Sequence, residues 1–318
     1  MPTISLNQIH EHRPDILLPP DPEFAASYRS RVEKGEAVAK RSRVAFVAIC
    51  RNAMPWLPLT LELVEQAGAR CGGWSCYIYE NDSTDGTKEC LSSWADGTKR
   101  VASITDNGRP HLNYTTATVR THALAEYRSE CQRFVAENGH FDFVVVFDTD
   151  PWGGFSIDGI MNTLGWMEDS HQTVGMASYS WCEWGPPVWP QPTICHYDAF
   201  AARLNHWHQR DQLWFHLWHP AVGSPPVKFN SAFGQLAVYR ARSFLAGRYT
   251  GEDCEHVTFH KSLGGDFYLN PSMRVTSFWI PKDESKTPEG DRLHGDLHDD
   301  VAGRDADPHH RRNPEDLR

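Results

Sequence analysis

No stretch of this 318-residue chain approaches the ~18 consecutive apolar residues that a membrane-crossing helix needs. The N-terminus, MPTISLNQIHEHRPDILLPPDPEF, has no basic segment followed by an apolar run, so no secretory leader is expected and the cytoplasm is the expected location. No CxxC pair or zinc-finger spacing occurs among the eight cysteines. Free, mostly buried thiols are expected, with Cys71–Cys76 or Cys182–Cys195 as the pairs open to an oxidising compartment. A basic excess is also missing: 31 Lys+Arg stand against 41 Asp+Glu, a net charge of -10. That balance argues against a general nucleic-acid binder, though it leaves room for a local basic groove. There is no internal repeat. Hydrophobic residues at 40% and charged residues at 23% exclude a disordered or fibrous chain. Two residue types are abundant instead, with 12 Trp and 17 His.

Periodicity divides the chain. Residues 1–42 read as an N-terminal arm and a helix from Pro22 to Lys40. Arg43 to Cys50 (RVAFVAIC) is an apolar, β-branched run of the kind that forms a buried strand. A helix from Trp56 to Ala69, a strand from Trp74 to Glu80, a helix from Thr87 to Ala95 and a strand from Arg100 to Thr105 follow. A long helix from Thr118 to Asn138 leads to the most strand-like segment, Phe141 to Phe147. Strands alternating with helices at this spacing predict an α/β fold with an open, twisted, mainly parallel sheet flanked by helices. Further on, a helix is expected over Asp198 to His208, a strand over Gln235 to Tyr239, a helix over Asp253 to Leu263 and a strand over Phe267 to Asn270. From residue 282 to 318 the chain is charged and reads as a loop-like tail.

Three segments carry chemistry. Asp148-Thr149-Asp150 follows the strand-like run directly. Two carboxylates at i and i+2, at the carboxyl end of a buried strand, can converge on one hard cation, and that edge of an α/β sheet is where ligands bind. A solvated turn is the simpler alternative. Glu80-Asn81-Asp82-Ser83-Thr84-Asp85-Gly86 follows a strand and opens a helix. Asp82 or Asp85 can bond a ribose or base, while Asx-turn and capping chemistry suits the same residues. Glu252, Asp253 and Glu255 open a third segment, where a carboxylate can serve as general base or as a helix cap. His256 and His260 share one helical face there.

Taken in order, ENDSTDGTKECLSSWA, RTHALAEYRSECQRF, FDFVVVFDTD, CHYDAFAARL, FNSAFGQLAVYR and CEHVTFHKSL, with Asn270-Pro271 beyond, give the chain a likeness over about Arg43 to Pro271. It resembles GT-A (Rossmann-like) fold glycosyltransferases that use nucleotide sugars, and within them the CAP59-like, cryptococcal α-1,3-mannosyltransferase-like family. The resemblance implies a single catalytic domain over 43–281, its donor half at about 43–155 and its acceptor half at about 156–281. It implies a hexosyltransferase-type enzyme that moves a sugar from a GDP- or UDP-sugar to the hydroxyl of a glycan or other acceptor. Asp148 and Asp150 would hold Mn2+ or Mg2+, with a late histidine as third ligand, His260, His294 or His298. Glu80, Asp82, Asp85, Arg120, Arg128 and Asp148 would face the donor, and Asp253 or Glu255 would be the catalytic carboxylate on the acceptor side, a base under inversion. The family implies retention, whereas a carboxylate base would suit inversion. The absence of an N-terminal membrane helix and the Pro151-Trp152-Gly153-Gly154 turn depart from the family.

Residues 181–219 hold six Trp and five His. Indoles stack on sugar faces, so Trp181, Trp184 and Trp214 are candidates for an acceptor platform, with a Trp-rich core as the alternative. They would also stack on a nucleobase, but the acidic charge disfavours a hydroxylated base in DNA as acceptor. Two other classes compete. A nucleotidyltransferase predicts a Gly-rich phosphate loop after the first strand, where this chain has Arg51-Asn52-Ala53-Met54-Pro55. A non-catalytic carbohydrate-binding protein predicts loss of the Asp148/Asp150 pair, which is present.

Overall fold

The run Arg43–Cys50 alternates its side chains between two hydrophobic clusters, which is why it has no polar face. It is strand β1 of a computed structural model that describes residues 4–112, 115–184, 193–208 and 213–279; of Trp184, Leu213 and Trp214 only the backbone is described. The predicted charged tail, His294 and His298 lie outside the described residues. The helices are α1 (Leu6–Glu11), α2 (Pro14–Leu17), α3 (Ala25–Arg41), α4 (Leu57–Ala69), α5 (Thr87–Trp94), α6 (Thr118–Glu137), α7 (Ile157–Glu168), α8 (Leu213–Leu217), α9 (Ala241–Ala246) and α10 (Glu255–Ser262). The strands after β1 are β2 (Gly73–Asn81), β3 (Arg100–Thr105), β4 (Phe143–Asp148), β5 (Gly154–Phe155), β6 (Thr173–Trp184), β7 (Thr193–His196), β8 (Val227–Phe229), β9 (Leu236–Arg240) and β10 (Asp266–Thr276).

Among the described residues the strands form one sheet in the order β3-β2-β1-β4-β9-β6-β10-β5, with β7 paired to β6 and β8 to β10. The first four are mutually parallel, as are β6 and β10, so the expected α/β, mainly parallel sheet flanked by helices is present. Strand β9 runs antiparallel between β4 and β6 and joins the two parallel parts. One face of the sheet packs on α6, α9 and α10 through Ala125, Cys131, Phe134, Phe244 and Phe259. The other packs on α4 and α7 through Leu57, Leu61, Val64, Ile160 and Leu164. No helix among the described residues is long and apolar enough to cross a membrane.

The N-terminal arm is tied into this body. Arg274, fully buried, donates to Asp15 Oδ1 at 2.7 Å, to the Tyr28 hydroxyl at 2.6 Å and to Ser156 Oγ at 2.8 Å. Helix α3 crosses α7 in close contact. A Cβ on Gly35 would lie 1.6 Å from the Met161 carbonyl oxygen, and one on Gly165 would lie 2.1 Å from that of Arg31. Backbone on both sides leaves no flexible atom to yield. Gly35→Ala is therefore expected to lower the unfolding free energy by about 3 kcal/mol. Urea denaturation reads this, and an unchanged midpoint would show that the two helices separate freely.

One expected element is absent. Asp198 to His208 is not a helix but a series of bends with a single bridge from Arg203 to Ser231. Side-chain hydrogen bonds replace the helical ones: Asp198 accepts from the Ala201 amide and the distant Gly234 amide, and Arg203 donates to the carbonyls of Phe200, Ala202 and Trp207. Strand β10 is longer than expected and carries Pro271 through a register shift between Asn270 and Arg274, where no ladder N–H is required of it.

Candidate active site

Asp148 closes β4 at the carboxyl edge of the sheet, and its amide donates to the Gln235 carbonyl at 2.9 Å. Asp150, two residues on, is exposed. Both line a cavity of about 600 Å³ with Thr149 between them. The buried Thr149 hydroxyl contacts Cys50 Sγ at 3.2 Å and so ties the acidic turn to the end of β1. The same cavity is lined by Arg51 just after β1, Arg109 and His111 from the loop after β3, and Arg120 and His122 from the first turns of α6. The carboxylate pair thus shares one cavity with three arginines, two histidines and the acidic Glu126.

The sequence reading missed most of that basic lining. Only Arg120 was expected to contribute to a site, whereas Arg51, Arg109, His111 and His122 were not singled out. The available signal was position: Arg51 follows a parallel strand directly, and carboxyl ends of such strands are where ligands bind. Arg51 is held by the Arg109 and Pro110 carbonyls at 3.0 and 3.3 Å. Arg109 pairs with Glu126 at 2.5 Å. Burial, then Arg51 and Arg120, lowers the pKa of His111.

The acids at the end of β2 and in the loop after it do not line this cavity. Glu80 is fully buried and accepts from the Ser83 amide at 2.8 Å. Asp85 accepts from the Met54 and Thr87 amides at 2.9 and 3.1 Å. Ser83 Oγ and Thr87 Oγ1 accept from the amides of Asn52 and Ala53 at 2.8 and 2.9 Å. The two loops after β1 and β2 are therefore stitched together by the side chains that capping chemistry supplies. Asp82 Oδ1 accepts from the Gly108 amide at 2.8 Å and Arg51 lies 3.9 Å from its other oxygen. Burial raises the Asp82 pKa, but bonds from Asn81 and the Gly108 and Arg109 amides outweigh it and hold the carboxyl below its ordinary range. Glu80, Asp82 and Asp85 thus have structural partners where donor contacts were expected.

Arg128 also departs from expectation. It is buried, with Nε 3.0 Å from Glu255 Oε1 and Nη2 3.3 Å from Asp148 Oδ1, and its guanidinium lies 4.9 Å over the Phe233 ring. It is an internal counter-charge, not a free phosphate ligand. Glu255, expected as a catalytic carboxylate, is buried and held by this arginine. Asp148 has its pKa raised to about 7, by burial above all, with Asp150 and Asp198 adding to it and Arg128 opposing it. Asp198 is therefore a third carboxylate near this edge that the predicted helix concealed. Asp253 receives both Nη2 contacts of the fully buried Arg203, at 3.0 and 3.1 Å, and keeps 31% of its side chain exposed.

His260 cannot be a metal ligand in this arrangement. Its Nδ1 is hydrogen-bonded to Ser231 Oγ and its Nε2 to the Tyr239 hydroxyl, both at 2.8 Å, in the core. Burial lowers its pKa to about 3, so the ring is neutral. Trp181 is buried too, stacked 5.6 Å from His219 and tilted against Tyr179 at 4.7 Å, so it belongs to the core and offers no open face to an acceptor. The side chains of Trp184 and Trp214 lie outside the described residues. Among the described residues no third His, Cys, Asp or Glu converges with Asp148 and Asp150 as a ligand set. The pair still fits Mg2+ or Mn2+, which commonly take one or two carboxylates and complete their shell with phosphate oxygens and water.

No protein-family profile matches the sequence, so the CAP59-like resemblance stands on its motifs alone. No curated protein matches it. Among solved structures the chain is similar to mannosyltransferase PcManGT from Pyrobaculum calidifontis in complex with GDP-Man and Mn2+, with a TM-score of 0.44 and 13% identity over 82% of this chain and 68% of that one. It is also similar to S. aureus TarS 1-349 in complex with UDP-GlcNAc, with a TM-score of 0.42 and 9% identity over 77% of this chain. It spans 60% of that TarS chain.

Proposed function

We propose that the chain is a GT-A type glycosyltransferase, with the CAP59-like family as the nearest resemblance, that moves a sugar from a nucleoside-diphosphate sugar to an acceptor hydroxyl with Mn2+ or Mg2+. The observation that carries this reading is the presence, in the lining of one cavity, of Asp148 and Asp150 together with Arg51, Arg109 and Arg120. A diphosphate bridged to a divalent cation presents the matching charges: the cation to the carboxylates, the phosphate oxygens to the guanidinium groups. When bound, the cation would neutralise charge on the departing diphosphate. Arg120 and His122, on the first turns of α6, would orient the phosphates. Asp253, more exposed than Glu255 and bonded by Arg203, would be the acid that takes a proton from an acceptor hydroxyl.

The test is a panel of UDP-, GDP- and dTDP-sugars with Mn2+, scored by thermal shift and slow hydrolysis. One nucleotide class is expected to raise the melting temperature, and saturation at 100 times Kd corresponds to about 2.7 kcal/mol. The Mn2+-dependent part should weaken as pH falls from 8 to 6, because the metal needs an ionised Asp148 and its carboxyl holds a proton up to about pH 7. If no donor shifts the transition with or without metal, the proposal fails.

A further inference from the structure

We propose that Cys182 and Cys195 form an oxidisable dithiol site, which a small disulfide of the glutathione type converts into a cross-strand disulfide. The two residues face each other directly in the antiparallel pair β6–β7, flanked by Trp181↔His196 and Glu183↔Ile194. Their sulfur atoms are in contact at 3.4 Å, both thiols being free and buried. Directly opposed residues of an antiparallel pair have Cα atoms roughly 4.5 or 5.5 Å apart. Both spacings fall within the roughly 4.4–6.8 Å that a disulfide spans. Side-chain rotation alone therefore brings the sulfurs to bonding distance, with no change of strand register. Other cysteines are engaged differently: Cys50 meets Thr149 Oγ1, Cys71 the Ala67 carbonyl, Cys131 the Ala48 carbonyl and Cys254 the Glu255 carboxylate.

Access comes from the strand itself. β7 has four residues and its only strand partner among the described residues is β6, so it is a short edge strand of the kind that opens locally. In the closed state burial and the neighbouring thiol raise the Cys182 pKa well above normal, so oxidation proceeds through such openings and is slow. The chemistry balances. One cysteine thiolate attacks the oxidant's S–S bond and releases a small thiol. The second thiolate attacks the mixed disulfide and releases another. The protein loses two protons and two electrons, and the oxidant is reduced to two thiols.

Hydrogen bonds connect the neighbourhood of the site to Asp148 at the cavity. Ser180, two residues before Cys182, donates to Gln235 Oε1 at 3.0 Å, and the Gln235 carbonyl receives the Asp148 amide. Asp198, three residues after Cys195, receives the Gly234 amide at 3.1 Å. A bond between the strands would hold these two flanks in one register.

The experiment uses the full chain, reduced with dithiothreitol, desalted and incubated with oxidised glutathione at pH 8. The expected product has lost about 2 Da, one hydrogen from each thiol. Non-reducing peptide mapping should place the link between Cys182 and Cys195, and dithiothreitol should reverse it. The oxidised form should melt higher, and Cys182→Ala or Cys195→Ala should abolish both changes. Two results overturn the proposal: both cysteines stay alkylatable after prolonged oxidation, including in mild urea that opens the edge strand, or another cysteine pair oxidises instead. Mapping of the wild-type chain decides the matter even if a variant folds poorly.

Discussion

Asp150→Ala is expected to reduce Mn2+-dependent donor hydrolysis by at least about 100-fold, the scale on which a lost electrostatic contact to a developing charge acts. Asp150 is exposed, so its removal should leave the fold intact. Asp148 is different: it is engaged by Arg128, and its loss perturbs the core as well as the cavity. Asp150 is thus the cleaner probe. Hydrolysis of the donor identified by thermal shift, at saturating Mn2+, reads the effect. Unchanged turnover in a folded Asp150→Ala protein would remove the metal role from this pair. A parallel loss of the Mn2+-dependent thermal shift would place the defect in binding the ion.

The second large effect is on stability. Arg128→Met removes the one cation between Glu255 and Asp148 and leaves buried carboxylate charge uncompensated, at a cost of about 3–5 kcal/mol. Burial lowers the pKa of this guanidinium, and Glu255 and Asp148 more than restore it, so the wild-type group is charged throughout the accessible range. The deficit of the variant depends on pH. Asp148 already binds its proton up to about pH 7 in the folded wild type, against an ordinary value of 3.8, and loss of the arginine moves it further upward. A carboxyl whose folded pKa is raised opposes folding as pH climbs from its unfolded value through its folded one. Denaturation of Arg128→Met in urea should therefore show its greatest loss at pH 8 and a smaller one near pH 5. A loss independent of pH would mean that packing on Phe233, not charge, is what the arginine supplies.

The sequence made the parallel part of the fold readable because β1, β2 and β4 are buried on both faces and consist of short apolar runs. Strand β6 was not readable for the opposite reason. Its Ser178 and Ser180 are buried, and their hydroxyls are satisfied by the Gly234 carbonyl and by Gln235, partners more than fifty residues away. The same applies to the site. The Asp148-x-Asp150 spacing is local and visible. That His260 has both nitrogens occupied, that Trp181 is enclosed and that Arg128 faces inward are consequences of tertiary packing, which residue type does not encode. The Asp198 segment shows the limit most directly, because its helical spacing is overridden by Arg203 and the Gly234 amide.

The antiparallel insertion of β9 has a consequence for how the molecule is assembled. Asp148 depends on β1 for its sheet partner, on α6 for its counter-charge, on Gln235 for its amide partner and, through Arg128, on α10. These segments span more than two hundred positions of the chain, so the floor of the cavity is a high-contact-order structure that closes only when distant pieces meet. A fragment ending near residue 155 would contain the acidic pair and the basic lining yet lack β9 and Glu255. The proposed boundary between donor and acceptor halves is therefore not a point at which the chain could be cut into autonomous folding units.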